Sequence, residues 1–482
     1  MKSAKPVLAV IFSLITAMML AICAFAAEIS YTITAPNNGH TYEVYQIFTG
    51  DYSEGILSNI KWGSNGTGTK GEVVNKEIID TLTKTNEQSD TEKLQVISSY
   101  WKSDSTALKT VTNGGSISVE PGYYLIKDVD GSQEGNNDSY THYLVEVVGD
   151  VMITPKSAVP EFEKKVQDVN DTTGKASDWQ DSADYDIGDE VPFLLSGTVA
   201  QNYENYSTYQ FVFHDRQSEG LTFLPDTVTV KVDGAKIEND QYEVITNGMD
   251  DSCTFEIRFK NLKEIPQVKA GSKITVEYRS QLNENAVIGE AGNPNQAYLE
   301  FSNNPNDEQG SETGKTPKDT VRVFTYQLEI HKVDAKKEEL KGAAFKLEKL
   351  GKNGYYMLVK EWEAGENVTF LFSGLDDGTY RLTETKTPAG YNTIEPIVFQ
   401  VTAQHEEKSD DPKLVEVKAE SINKELDAAS KDGILKANIV NNKGAILPET
   451  GGIGTTIFYT AGTLLVASAG VALAAKRRSR ES

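Results

Sequence analysis

Cysteine is nearly absent from this 482-residue chain, which holds only Cys23 and Cys253. Cys23 lies in an apolar N-terminal run expected to be removed, so no intrachain disulfide is available and any rigidity must have another source. Cys253 is expected as a small buried apolar residue. Histidine is scarce too: His40, His142, His214, His331 and His405 are scattered, and none has the spacing of an H-E-x-x-H metal site. No G-x-S-x-G nucleophile elbow occurs. The acidic stretch 168–186 does not match the spacing of a calcium loop and reads as solvated loop. An enzyme, a resident metal and a cofactor are therefore not expected. Basic residues are outnumbered, 47 Lys and Arg against 71 Asp and Glu, net −24. Such a surface repels nucleic acid and anionic lipid and keeps a secreted protein soluble.

The two ends are distinctive. Lys2 and Lys5 precede a nearly continuous apolar run from Val7 to Cys23, followed by Ala24-Phe25-Ala26. This is the pattern of a secretory leader (residues 1–26) with cleavage before Ala27, the alternative being an N-terminal membrane anchor. At the other end stands Leu447-Pro448-Glu449-Thr450-Gly451, then an apolar stretch from Ile453 to Ala475, then Lys476-Arg477-Arg478-Ser479-Arg480. The stretch is long enough for one membrane crossing, at about 20 residues per span. The basic tail would stay on the cytoplasmic side. Both ends together carry six basic residues and one acid, so 27–450 holds 41 basic against 70 acidic residues, net −29.

Between the ends the pattern is all-β. Tyr31-Thr-Ile-Thr, Val228-Thr-Val-Lys-Val, Ile274-Thr-Val-Glu-Tyr and Leu328-Glu-Ile-His-Lys-Val alternate with period two, separated by Gly, Asn and Asp clusters. Helices are expected only over 76–85 and 91–102, in the first third. Boundaries near Ser157-Ala158-Val159-Pro160 and Gly314-Lys315-Thr316-Pro317 divide the body into 27–158, 159–320 and 321–443, with the sorting region over 444–482. Tandem Ig-like β-sandwiches follow from that spacing. A short repeat, G-x-Y-x-[IL]-x-[DE], occurs at Gly122–Asp128 and Gly378–Glu384, so the first and third domains are expected to share a fold.

The C-terminal pentapeptide resembles the L-P-x-T-G sorting signal of Gram-positive surface proteins. The resemblance implies cleavage between Thr450 and Gly451, with Leu447, Pro448 and Glu449 read by the sortase. Pro448 restricts Leu447 to an extended shape suited to an enzyme groove. In the third domain, Ile330-His331-Lys332-Val333-Asp334, Leu382-Thr383-Glu384-Thr385-Lys386 and Ile439-Val440-Asn441-Asn442-Lys443 resemble Cna-B-type domains. These form a spontaneous Lys–Asn isopeptide bond assisted by a buried acid. Period-two phasing puts Lys332 with Leu328 and Ile330, Glu384 with Tyr380 and Leu382, and Asn441 with Ala437 and Ile439. Lys332, Glu384 and Asn441 are therefore chosen, with Asn442 in reserve. Burial would lower the Lys pKa and raise that of the acid, as the reaction requires.

The second domain resembles the Cna-A-like middle domain of major pilins, and the same phasing selects Lys164, Asp215 and Asn303, with Asn304 in reserve. The first domain keeps Asp128 at the acid position, but its opening strands contain no Lys between Ile29 and Phe48, so no such bond is expected there. Val151-Met152-Ile153-Thr154-Pro155-Lys156-Ser157 resembles the pilin motif of shaft subunits, with Thr154 and Ser157 departing from the family's Tyr and Asn. The resemblance implies that Lys156 attacks the Thr450 thioester of a neighbour. The expected partners are a class C pilus sortase, a housekeeping sortase, identical subunits, accessory pilins, peptidoglycan and host receptors. A monomeric wall-anchored adhesin is the alternative, and Lys156 discriminates between the two.

Overall fold

The computed structural model describes residues 29–444 except 54–55, 86–89, 134–137, 154–158, 250, 260, 308 and 422–425, together with 462–463 and 465–466. The leader, Lys156 and Leu447–Gly451 lie outside the described residues. The apolar stretch expected to span a membrane also falls almost wholly outside them. Among the described residues no helix is long and apolar enough to cross a membrane.

Alternation of apolar and polar residues builds three successive double-sheet units, each with its own core. In the first, Tyr31–Thr34 pairs antiparallel with Ser116–Val119 and parallel with Val151–Met152. It faces a five-stranded sheet in which Gly122–Asp128 lies between Thr41–Ser53 and His142–Val147. In the third, Tyr326–Asp334 pairs antiparallel with Thr369–Leu375 and parallel with Ile434–Asn441. There Gly378–Lys386 lies between Ala344–Leu350 and Ile397–His405. The two copies of the G-x-Y repeat therefore occupy equivalent central strands of equivalent sheets.

The middle domain packs two larger sheets. Phe162–Val169, Glu190–Thr198 and Lys273–Leu282 run side by side in one. Asp319–Phe324, Asn293–Ser302, Phe211–Gln217 and Phe255–Phe259 do so in the other. Because Asp319–Phe324 pairs with Asn293–Ser302, the middle domain extends past the expected boundary at 320, and the chain enters the third domain at Thr325. Two helices lie in the first domain, Lys76–Lys84 and Asp90–Ser98. Asn75 caps the first by accepting from the Ile78 amide. The second stops short of the expected Lys102 because Trp101 turns away to bridge Gly66.

Candidate functional site: buried lysines beside acids and asparagines

In the third domain, Lys332, Glu384 and Asn441 come from three strands and meet inside the sandwich. Lys332 and Asn441 have no solvent exposure and Glu384 has 5%. Parallel pairing sets Lys332 opposite Ile439, so Asn441 lies two residues farther along the neighbouring strand. The Lys332 Nζ donates to the Ile439 carbonyl at 2.9 Å. The Asn441 amide donates to Glu384 Oε2 at 3.0 Å and to the Asn392 carbonyl at 2.5 Å. Asn441 Oδ1 and Glu384 Oε1 have no hydrogen-bond partner. Burial pulls Lys332 down to about 8, against the opposing pull of Glu384. The reserve residue, Asn442, is exposed, and its carbonyl accepts from the Asn392 amide.

In the middle domain the structure brings Lys164 and Asp215 together and leaves Asn303 far away. Lys164 Nζ donates to Asp215 Oδ2 at 2.5 Å and to the Tyr278 hydroxyl at 2.8 Å. That hydroxyl donates to the same Asp215 oxygen at 2.7 Å and accepts from Asn295 Nδ2 at 2.9 Å. Lys164, Asp215 and Asn295 are all fully buried, and Asp215 Oδ1 and Asn295 Oδ1 lack partners. The rings of Phe193 and Tyr278 stand 5.4 and 5.3 Å from Nζ. Burial lowers the Lys164 pKa and raises that of Asp215, in each case against the attraction of the other.

Asn303 is the main correction. Its face was read properly, since Asn295, Ala297, Leu299 and Phe301 all point inward with it. The register was not. Asp215 pairs with Ala297 and Gln217 with Asn295. Asn303 is eight residues beyond Asn295, roughly 26 Å at the rise of an extended strand. It sits instead at the junction with the first domain, where its carbonyl accepts from the Tyr140 amide and the Ser139 hydroxyl, and its side chain donates to the Asp138 carbonyl. Asn304 accepts from the Asn306 amide and is equally remote along the chain. The missed signal was directional: Asp215 comes late in Phe211–Gln217, so its antiparallel neighbour must present an Asn early. Asn293 is also early, but its amide is already satisfied by Val287 and Val323.

In the first domain the acid position, Asp128, is met by a histidine from the loop before Thr41–Ser53. His40 Nδ1 lies 3.0 Å from Asp128 Oδ1 and Nε2 lies 3.1 Å from Asp138 Oδ2. No lysine amine contacts Asp128 among the described residues.

Two further expectations are revised. The carboxylates of 168–186 are not a solvated loop. Asp186 accepts from Lys349 of the third domain at 2.6 Å and Asp171 at 3.0 Å, and Asp376 completes the cage. Asp184 and Asp168 flank His405, which they hold up at about 10 despite its burial. Cys253 is only half-buried, and its thiol donates to Asp251 Oδ2 at 3.0 Å instead of packing among apolar groups.

Comparison with known proteins fits this geometry. Residues 187–305 match the model described as Gram-positive pilin backbone subunit 2, Cna-B-like domain. Residues 326–413 match the SpaA prealbumin-like fold domain, and 439–481 match the LPXTG cell wall anchor motif. The three matched stretches fall in the middle domain, the third domain and the C-terminal region. The description of the middle-domain model is Cna-B-like, where the resemblance in sequence had suggested Cna-A-like. Over 286 residues the chain is 28% identical to the trypsin-resistant surface T6 protein of Streptococcus pyogenes, a match covering 56% of the chain and 49% of that protein. It thus spans about half the length of its curated relative. In fold it is similar to the T6 backbone pilin of S. pyogenes, with TM-score 0.52, 19% identity, and coverage of 88% of this chain and 100% of that one. The major pilin SpaD of Corynebacterium diphtheriae aligns at TM-score 0.49 and 18% identity, over 87% and 98% of the two chains. The anchor motif and the pilin domains assign the chain to the Gram-positive cell wall.

Proposed function

We propose that this chain is the shaft subunit of a covalent pilus, with sortase joining Thr450 of one copy to Lys156 of the next. A class C pilus sortase would form the thioester at Thr450, and the Lys156 amine of another subunit would displace it. A housekeeping sortase would transfer the finished polymer to peptidoglycan, and accessory pilins would decorate it. The anchor motif over 439–481 supports the thioester half of this reading. The Pro155-Lys156 pair at the end of the first domain supports the amine half.

The chain reinforces itself by the chemistry its buried groups favour. An amine kept neutral by burial attacks Cγ of the asparagine. The buried acid takes the proton that the amine sheds and supplies one to the leaving nitrogen, so one C–N bond forms, one breaks, and ammonia departs. The groups are Lys332, Glu384 and Asn441 in the third domain, and Lys164, Asp215 and Asn295 in the middle domain. The observation that carries this reading is the pair of fully buried lysines, each beside a buried acid and an asparagine whose Oδ1 has no partner.

The test of assembly is a ladder of boiling- and SDS-resistant high-mass species on cells. Lys156→Ala should abolish the ladder while leaving wall-linked monomer. A single wall-linked band unchanged by Lys156→Ala would instead assign the chain to the monomeric adhesins.

A further inference from the structure

We propose that His214, Asp251 and Cys253 form a binding site for a borderline-soft divalent cation of the zinc class on the outer face of the middle domain. Their donor atoms lie within 4.8 Å of one another. His214 Nδ1 is 2.9 Å and Cys253 Sγ is 3.0 Å from the same oxygen, Asp251 Oδ2. Thiolate, imidazole and carboxylate together suit zinc, whereas calcium and magnesium prefer oxygen donors alone. Ligands held at about 2.0–2.3 Å from a tetrahedral ion need movements of less than about 1 Å from these positions.

Three features bear on a cation there. First, Asp251 and Cys253 line an open groove of about 430 Å³ together with Gln296 and Tyr298, which leaves a coordination position for water; His214 reaches Asp251 from the strand behind it. Second, the far nitrogen of His214 lies 3.5 Å from Glu300 Oε2, the arrangement by which a carboxylate orients a metal-binding imidazole. That nitrogen is buried and makes no properly directed hydrogen bond, and His214 itself is 7% exposed. Third, carboxylates crowd the ring, with Arg216, Lys315 and Lys318 on the groove wall as counter-charge. Asp251, Glu256 and Glu300 all approach it. Arg258 pairs with Glu256 and Lys315 with Glu300, while Asp251 accepts from the imidazole, the thiol, the Tyr298 hydroxyl and the Cys253 amide. Lys315 and Lys318 also lie over the outer Tyr298 ring, on the wall of the groove.

Binding would release the thiol proton to solvent, the imidazole would bind through Nδ1 with its N–H on Nε2 toward Glu300, and the three ligands would close around the ion. The ligands come from the strand Phe211–Gln217 and from the loop that enters Phe255–Phe259. The ion would therefore staple that loop to the outer face of the strand whose inner face carries Asp215. Positions 214, 251 and 253 are too far apart in sequence to form a recognisable metal motif, which is why the spacing pattern does not reveal the site.

The test uses metal-free chain 27–450 with Co²⁺ or Zn²⁺ alone. One equivalent of Co²⁺ should give a thiolate-to-metal charge-transfer band, and Zn²⁺ should slow alkylation of Cys253 at least about tenfold. Cys253→Ser and His214→Gln should each remove the band. Glu300→Gln should weaken Zn²⁺ binding about 10- to 100-fold while keeping the band at saturating metal. The mass deficit of the middle-domain cross-link in every variant shows that the domain has folded. Absence of both band and protection in wild type overturns the proposal. So does metal binding that the Cys253 and His214 variants leave unchanged.

Discussion

A lysine removed from water keeps its proton only if nearby anions compensate for the lost hydration. Lys164 and Lys332 show the weak side of that balance and Lys349 the strong side. Burial outweighs Asp215, with Asp319 as a weaker influence, at Lys164 and outweighs Glu384 at Lys332, and both pKa values fall. Three carboxylates surround Lys349, and its pKa rises, although burial opposes it. The first two lysines are thus prepared as nucleophiles and the third as a permanent cation. Removing the asparagine exposes the difference. In Asn441→Ala the Lys332 amine stays free, with a folded pKa of about 8 against 10.5 when exposed. Between those values the unfolded chain binds a proton that the folded one does not, so stability rises with pH across this window and is flat below it. The midpoint of thermal unfolding of the third domain in Asn441→Ala should climb from pH 8 to 10. Wild type should lack this rise, since an amide nitrogen does not titrate there. A second prediction concerns the middle domain. Asn295→Ala should lose one cross-link, whereas Asn303→Ala should keep it and loosen only the side-chain contact with the Asp138 carbonyl.

At the scale of elements, period-two alternation identified which face each residue takes, and the three sandwiches, the repeated central strand and the third-domain cluster were all legible. Lys332, Glu384 and Asn441 could be found because each of their strands offers few inward polar residues. Register was harder. Asn293–Ser302 presents both Asn293 and Asn295 inward at its start, and Asn303 follows on the same face, so alternation cannot choose among them. Only pairing with Phe211–Gln217 places Asn295 near Asp215. The junction carboxylates were hidden for a related reason. Their partner, Lys349, is more than 150 residues away and on another domain. Local spacing carries no trace of such a contact. Gly374 marks the same junction: its φ of +81° favours glycine, and a Cβ there would lie 2.8 Å from Ile187. Gly374→Val should therefore disturb the contact of middle and third domains while sparing both cores.

Across the whole molecule, the domains are tied in series by polar contacts. Ser182, Asp184, Asp186 and Asn170 reach His405, the Asp377 amide, Lys349 and the Asp377 side chain. Breaking a buried ion pair from one side costs about 3–5 kcal/mol, because the remaining charges are stranded. Lys349→Met should accordingly release the third domain from the middle one, seen as a broader distribution of interdomain distances in small-angle scattering, with both intradomain cross-links intact. A head-to-tail polymer would transmit tension through every domain in turn, and a covalent bond between strands is what would let the middle and third sandwiches carry it without unfolding. The most direct test is intact-mass and peptide mass spectrometry of chain 27–450. The account predicts a deficit of about 17 Da for each of two bonds, one ammonia apiece, with Lys164 linked to Asn295 and Lys332 to Asn441. A chain at its full calculated mass, with those four residues recovered in unlinked peptides, would contradict it.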